Sequence, residues 1–76
     1  MKQLEFVLKP LTDGSEPFIA LNSLLKFMKI SENGGMANLF ISDGLVTVNG
    51  KIDQRKRAKI RKGDVVGFED VEIHVK

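Results

Sequence analysis

Apolar and other residues alternate near the amino terminus, where Leu4, Phe6 and Leu8 fall on every second position. A period of two is typical of a β-strand with one buried face, so the pattern predicts a strand over residues 4–8. Residues 10–17 follow with both prolines of the chain and a Thr-Asp-Gly-Ser run. Such residues interrupt regular structure, and we expect this stretch to be a connector.

The apolar spacing then changes to that of an amphipathic helix, which we expect over about residues 20–29. Phe27 lies off the apolar stripe of this helix. Its ring is expected to belong to the core, packed against the N-terminal strand, with stacking on an unpaired base as the alternative. The stripe consists of Leu21, Leu24, Leu25 and Met28.

A second, shorter helix is predicted over about residues 34–43, where Ala37, Phe40 and Ile41 repeat the helical spacing. Its N-cap is expected to be Ser31 or Asn33, because their side chains can accept hydrogen bonds from free backbone N–H groups. Gly44 follows at the position where a left-handed residue closes a helix. The Gly34-Gly35 pair is expected to form a tight connection between the helices, with a phosphate contact as the alternative.

Short strands are predicted for the rest of the chain, at residues 46–48, 65–68 and 71–75. The Asn49-Gly50 pair is a strong signal for a two-residue hairpin turn. A strand, two helices and a run of strands together predict an α+β fold. In that fold, two short helices pack on a small antiparallel sheet that the N-terminal strand joins. His74 is expected to be an exposed residue on the polar side of the last strand.

The chain has 76 residues, which is the size of one small domain with a thin core. It has no cysteine, so disulfides, thiolate metal sites and cysteine catalysis are excluded. No apolar run approaches the length of a membrane span, and no signal peptide is evident. We therefore expect a cytoplasmic, monomeric binding module over residues 1–76, with no catalytic residues, no metal and no cofactor.

Positive charge is concentrated in residues 51–62, the basic segment hereafter. This segment has seven basic residues and one acidic residue and carries +6, whereas five basic and nine acidic residues elsewhere give −4. The net charge of +2 conceals this asymmetry. The basic residues of the segment are Lys51, Arg55, Lys56, Arg57, Lys59, Arg61 and Lys62.

Such a segment is suited to binding phosphates, because arginine engages a phosphate through two parallel hydrogen bonds and lysine acts as a point charge. If residues 55–61 are extended, alternation places Arg55, Arg57, Lys59 and Arg61 on one face. A row of cations is the footprint expected for nucleic acid. The alternative is a solvated charge run on a loop.

Two sequence patterns around the predicted hairpin carry a family resemblance. Residues 41–50 read I-x-x-G-x-V-x-V-N-G, and residues 62–66 read x-G-D-x-V. Together they resemble the RNA-binding domain first known from ribosomal small-subunit protein S-four, also called the alpha-L motif. The resemblance implies two short helices packed on a small, strongly bent sheet, and it implies binding of RNA.

A subgroup of small stand-alone bacterial proteins, labelled YaaA-like or YbcJ-like, resembles the chain more closely. The shared features are the Gly34-Gly35 pair and the stretch Asp53-Gln54-Arg55-Lys56-Arg57-Ala58-Lys59-Ile60, and the resemblance covers residues 19–68. Many relatives have a basic residue on the second helix where this chain has Asn38. Any RNA contact from that helix is therefore limited to a hydrogen bond.

The expected function is binding of structured, ribosomal RNA in ribosome assembly or translation. Two alternatives stay open at this point. One is a protein-interaction module for an acidic ribosome-associated partner, such as a ribosomal protein, and the other is an accessory domain of an RNA-modifying enzyme. The expected RNA-binding residues are Lys26, Lys29, Asn38, Lys51, Arg55, Lys56, Arg57, Lys59, Arg61 and Lys62.

Overall fold

The computed structural model of the protein describes residues 2–9 and 17–76. The predicted connector therefore lies outside the described residues, apart from Pro17. The elements, in chain order, are β1 (Lys2–Phe6), β2 (Phe18–Ala20), α1 (Leu21–Phe27), α2 (Gly34–Ser42), β3 (Val46–Val48), β4 (Lys51–Ile52), β5 (Lys59–Arg61), β6 (Val65–Phe68) and β7 (Val71–Val75).

The strands form a five-stranded sheet in the order β1-β7-β6-β3-β4 and a two-stranded sheet of β2 and β5. The predicted α+β class is confirmed, as is the N-terminal strand beside the C-terminal ones. The prediction of a wholly antiparallel sheet is wrong, because β1 runs parallel to β7. The two strands are joined by most of the chain rather than by a hairpin, so no tight turn dictates an antiparallel pairing.

The parallel register aligns apolar residues of β1 with apolar residues of β7. It pairs Leu4 with Ile73 and Phe6 with Val75. Because paired residues point to the same face of a sheet, the apolar side chains of β1 extend the apolar face of β7. The alternation predicted for the first strand is present, with Leu4, Phe6 and Leu8 half-buried and their neighbours exposed.

Both helices pack their predicted apolar stripes against the sheets. Phe40 of α2 stacks against Phe68 of β6, with ring centroids 4.9 Å apart. Burial of apolar side chains supplies most of the stability of such a fold. The buried hydrophobic core consists of Leu21, Leu24, Leu25, Ala37, Ile41, Val46, Ala58, Ile60, Val66, Ile73 and Val75.

The predicted boundaries of the helices hold closely. Asn33 is the N-cap of α2, and its side chain accepts a 2.9 Å hydrogen bond from the backbone N–H of Met36. Gly44 closes the helix with a φ of 76°. Helix α1 ends earlier than predicted, at Phe27, and the chain then turns through Lys29, whose φ is 61°.

Phe27 is the main error in the predicted core. Phe27 is 70% exposed, and its ring makes an edge-to-face contact with that of Phe6 at a centroid distance of 5.2 Å. The expected burial is therefore wrong, whereas the contact with the N-terminal strand is confirmed. Phe27 lies beside the apolar stripe of α1 and not within it, and its ring meets Phe6 of the edge strand β1.

His74 lies on the polar face of β7, as predicted. It is half-buried and not exposed as expected, because Gln3 on the neighbouring strand β1 contacts its ring through the side-chain oxygen. The amide nitrogen of Gln3 also donates a 2.8 Å hydrogen bond to Glu72. These polar contacts join β1 to β7 on the face opposite the core.

Candidate nucleic-acid interface

The basic segment is anchored by the short strand β5. It pairs antiparallel with β2, which sets Ile60 opposite Ile19. Ile60 is 1% exposed, so its burial directs the flanking Lys59 and Arg61 side chains outward. The period-two pattern of the sequence therefore predicts the outward direction of Lys59 and Arg61.

The stretch before β5 is not extended, which corrects the prediction of one straight row over residues 55–61. A turn occupies residues 56 and 57, and the N–H of Ala58 closes it with a 3.2 Å hydrogen bond to the carbonyl of Arg55. Ala58 itself is buried. A small apolar side chain in the core therefore bends the segment where the sequence pattern indicated a strand.

Helix α1 holds this turn in place through its free N–H groups. Ala20 is its N-cap and offers no side-chain acceptor. The N–H of Leu21 donates instead to the carbonyl of Ala58 at 2.9 Å, and the N–H of Asn22 donates to the carbonyl of Lys56 at 3.0 Å. Because the first turn of a helix needs such partners, the basic turn and the helix start stabilise each other.

The bend brings four of the predicted cations together around one hollow of about 560 Å³. We name it the cationic concavity. Its charged lining comes from a turn and a strand that are both fixed by backbone hydrogen bonds, so the cations are clustered although they do not follow one extended chain. The lining residues are Arg55, Arg57, Ala58, Lys59 and Arg61.

Arg55 differs from the other cations because it is already paired. Its Nε donates to Asp53 Oδ1 at 3.0 Å, and a terminal nitrogen donates to Asp53 Oδ2 at 2.8 Å. These hydrogen bonds hold the pKa of Asp53 below its ordinary value and raise the pKa of Arg55. Within residues 2–9 and 17–76, neither Arg57 nor Arg61 forms a salt bridge.

The far end of the concavity is fixed by the turn between β5 and β6. The N–H of Arg61 donates to the Asp64 carboxylate at 2.8 Å. Asn49, in the β3–β4 turn, donates to the same carboxylate at 3.0 Å and accepts from the N–H of Val65 at 2.9 Å. Asn49 therefore has a structural role beyond the predicted hairpin turn.

Phe18 is a residue of this surface that sequence reasoning missed. The Nζ of Lys59 lies 5.1 Å from the centroid of its ring, and the residue is 44% exposed. The signal in the sequence is weak, since β2 has only three residues directly after Pro17. A period-two pattern needs a longer run to be recognised.

The other predicted residues are more dispersed. Lys26 and Lys29 are exposed at and beyond the end of α1 and do not line the concavity. Asn38 is half-buried, and its side-chain oxygen accepts a 2.9 Å hydrogen bond from Asn22, which links the two helices. RNA contacts by these residues stay predictions. The remaining predicted cations Lys51, Lys56 and Lys62 are exposed, in β4 and in two turns.

Two further features are absent from the described part of the chain. It contains no group of three or more His, Asp or Glu side chains that could hold a metal ion. No helix among these residues is long and apolar enough to cross a membrane.

Comparisons with known proteins identify relatives of this chain. The chain is 39% identical over 62 residues to the "Putative RNA-binding protein YbcJ" of Escherichia coli, covering 82% of this chain and 89% of that protein. It is 41% identical over 51 residues to the "Probable ribosome maturation protein RlbA" of Bacillus subtilis, covering 67% of this chain and 72% of that protein.

A solved structure is similar as well. The solution structure of Escherichia coli YbcJ, described as an alpha-L motif involved in RNA-binding, matches with a TM-score of 0.59 at 33% identity. The match covers 97% of this chain and 87% of that one. A family profile described as the S4 domain matches residues 13–76. The resemblance inferred from the sequence is confirmed: the chain belongs to the S4 domain family.

Proposed function

We propose that this chain binds structured RNA, with the cationic concavity as the main contact to the phosphate backbone. The single observation that carries the proposal is the convergence of Arg57, Lys59 and Arg61 with Arg55 on one hollow. Phosphates are spaced along a polymer, and fixed cations that can each meet one give affinity without reading sequence. YbcJ, named and described as RNA-binding, supports the same assignment.

Structured RNA is favoured over extended single strands. The chain has five phenylalanines and no tryptophan or tyrosine, so a continuous row of stacking platforms is not available. Double-stranded RNA is recognised mostly by its shape and its phosphates, which a compact cationic surface can follow. Lys51, Lys56 and Lys62 would extend the contact at the margins.

The biological setting proposed is ribosomal RNA during ribosome assembly or translation in the cytoplasm. RlbA, a relative named as a probable ribosome maturation protein, supports this setting. The chain would act there as a monomeric, non-catalytic binding domain over residues 1–76, with ribosomal proteins as neighbours on the same RNA.

Ultraviolet cross-linking in cells, followed by sequencing of the attached RNA, tests the proposal. Ribosomal RNA fragments should be enriched with the wild-type chain, and recovery should fall severalfold with Arg57→Gln/Arg61→Gln. Lys2→Gln/Lys76→Gln is the charge-matched control, because these lysines do not line the concavity. The control should recover RNA at the wild-type level.

Two outcomes would contradict different parts of the proposal. Equal recovery with all three chains would contradict the site. Capture of an acidic protein that survives ribonuclease treatment, and that is lost only with the arginine variant, would replace RNA with a protein partner for the same cations.

A further inference from the structure

We propose that Phe18 is a stacking site for one unpaired nucleobase, directly beside the cationic concavity. This inference rests on the proposed RNA binding and adds the kind of RNA that fits the site: a helix that carries an unpaired nucleotide in a loop, a bulge or an overhang.

The pairing of β2 with β5 places the ring among the cations. Phe18 is the direct partner of Arg61, and Ala20 is the partner of Lys59. Directly paired side chains point to the same face of an antiparallel pair, and diagonal neighbours are within reach of aromatic rings. Phe18, Lys59 and Arg61 therefore share one face of the two-stranded sheet, while Ile19 and Ile60 point to the opposite face.

The ring is available to a ligand. Phe18 is 44% exposed, whereas Ile60 on the opposite face is 1% exposed. The ring also lines a groove of about 590 Å³. The groove is largely apolar, and its lining comprises Glu5, Phe6, Val7, Leu8, Lys9, Phe18, Ile19, Phe27 and Met28.

The contact between Lys59 and Phe18 places a cation that can bind a phosphate beside a ring that can stack on a base. The Nζ of Lys59 lies 5.1 Å from the ring centroid, so an ammonium group is held next to the aromatic surface. A phosphate bound by Lys59 and Arg61 would carry its own base toward Phe18. Stacking on an aromatic ring accepts every base, and it requires that the base be free of its duplex neighbours.

The absence of tryptophan from the chain allows a direct optical test, since Phe18→Trp introduces a single indole. Its fluorescence should be quenched when an RNA hairpin with a single-stranded overhang binds, and much less when the blunt hairpin binds. Phe27→Trp is the control, because Phe27 lines the same groove and no cation of residues 2–9 and 17–76 lies over its ring. Equal quenching of the two indoles, or no quenching at position 18, would overturn the assignment.

The affinity of a second variant keeps the inference testable if the tryptophan variant misfolds. Phe18→Leu keeps an apolar side chain and removes the ring. The wild-type chain should prefer the overhang hairpin to the blunt hairpin by about tenfold, and Phe18→Leu should lose that preference. Phe27→Leu should retain it.

The two hairpins also separate this inference from the proposed function. If the wild-type chain binds neither hairpin, RNA binding itself fails. If it binds both hairpins with cation-dependent affinity and Phe18→Leu keeps the preference for the overhang, the stacking site alone is refuted.

Discussion

The side-chain amide of Asn49 donates a 3.0 Å hydrogen bond to the carboxylate of Asp64, which joins the β3–β4 turn to the β5–β6 turn. The second oxygen of Asp64 accepts from the N–H of Arg61 at 2.8 Å. A residue that the hairpin needs for its positive φ of 54° thus also supports the backbone of a cation that lines the concavity. The turn chemistry and the candidate site are parts of one hydrogen-bond network.

Replacing Asn49 should therefore lower stability through two separable effects. Asn49→Gly keeps the left-handed backbone accessible and removes the amide, so the free energy of unfolding should fall by about 1 kcal/mol. Asn49→Ala removes the amide too and replaces a residue that tolerates a positive φ with one that rarely adopts it, so it should cost about 1 kcal/mol more. Urea denaturation measures both values. Wild-type stability of Asn49→Gly would contradict the role of the amide.

Gly67 is required by its close approach to Thr47. A β-carbon at position 67 would lie 2.5 Å from the hydroxyl oxygen of Thr47. Gly67→Ala should therefore destabilise the fold by about 1–3 kcal/mol. Adding Thr47→Ala should restore much of the loss, because the clashing oxygen is gone. Strictly additive effects of the two substitutions in a double-mutant cycle would refute the clash.

The Asp53–Arg55 pair predicts a pH dependence of stability. The pKa of Asp53 is lowered in the fold, first by the side-chain hydrogen bond from Arg55. The pair therefore stabilises the fold fully above the unfolded pKa of about 3.9, and this stabilisation is lost as the pH falls through the lower folded value. Asp53→Asn should be less stable than the wild type at pH 7 and equal to it in strong acid. A difference that stays constant with pH would argue against the pair.

The same pair predicts unequal contributions from two neighbouring arginines. Two nitrogens of Arg55 are engaged by Asp53, whereas Arg57 has no salt-bridge partner in the described part of the chain. Arg57→Gln should weaken RNA binding by about tenfold and Arg55→Gln by about threefold or less. Fluorescence anisotropy with a labelled hairpin compares them. In an Asp53→Asn background, Arg55→Gln should cause a larger loss of RNA affinity, because Arg55 is then no longer engaged by Asp53. An unchanged loss would contradict the idea that Asp53 and RNA compete for Arg55.

Much of the fold was predictable because its signals are local. The stripe of Leu21, Leu24 and Leu25 marks α1, and Asn49-Gly50 marks the hairpin. The direction of β1 was not predictable, because strand pairing between chain ends depends on long-range packing rather than on a turn. Phe27 was misassigned because helical spacing alone does not tell which parts of a helix the sheet reaches.

The candidate site was predictable in its composition and not in its shape. Charge counting identified Arg57 and Arg61, yet the bend at Ala58 depends on hydrogen bonds to the start of α1 that no sequence period encodes. The hydrogen bond between Asn22 and Asn38 was not indicated by the sequence either, and the RNA contact predicted for Asn38 stays a prediction. Phe18 was missed because a three-residue strand is too short to give a pattern.

The salt dependence of RNA affinity tests the cationic concavity most directly. Each phosphate contact releases counterions, so the slope of log K against log salt counts the contacts. We predict that Arg57→Gln/Arg61→Gln makes this slope shallower by about two, roughly one for each lost contact, while Lys2→Gln/Lys76→Gln leaves it unchanged. A slope in the arginine variant equal to that of the wild type would contradict the account.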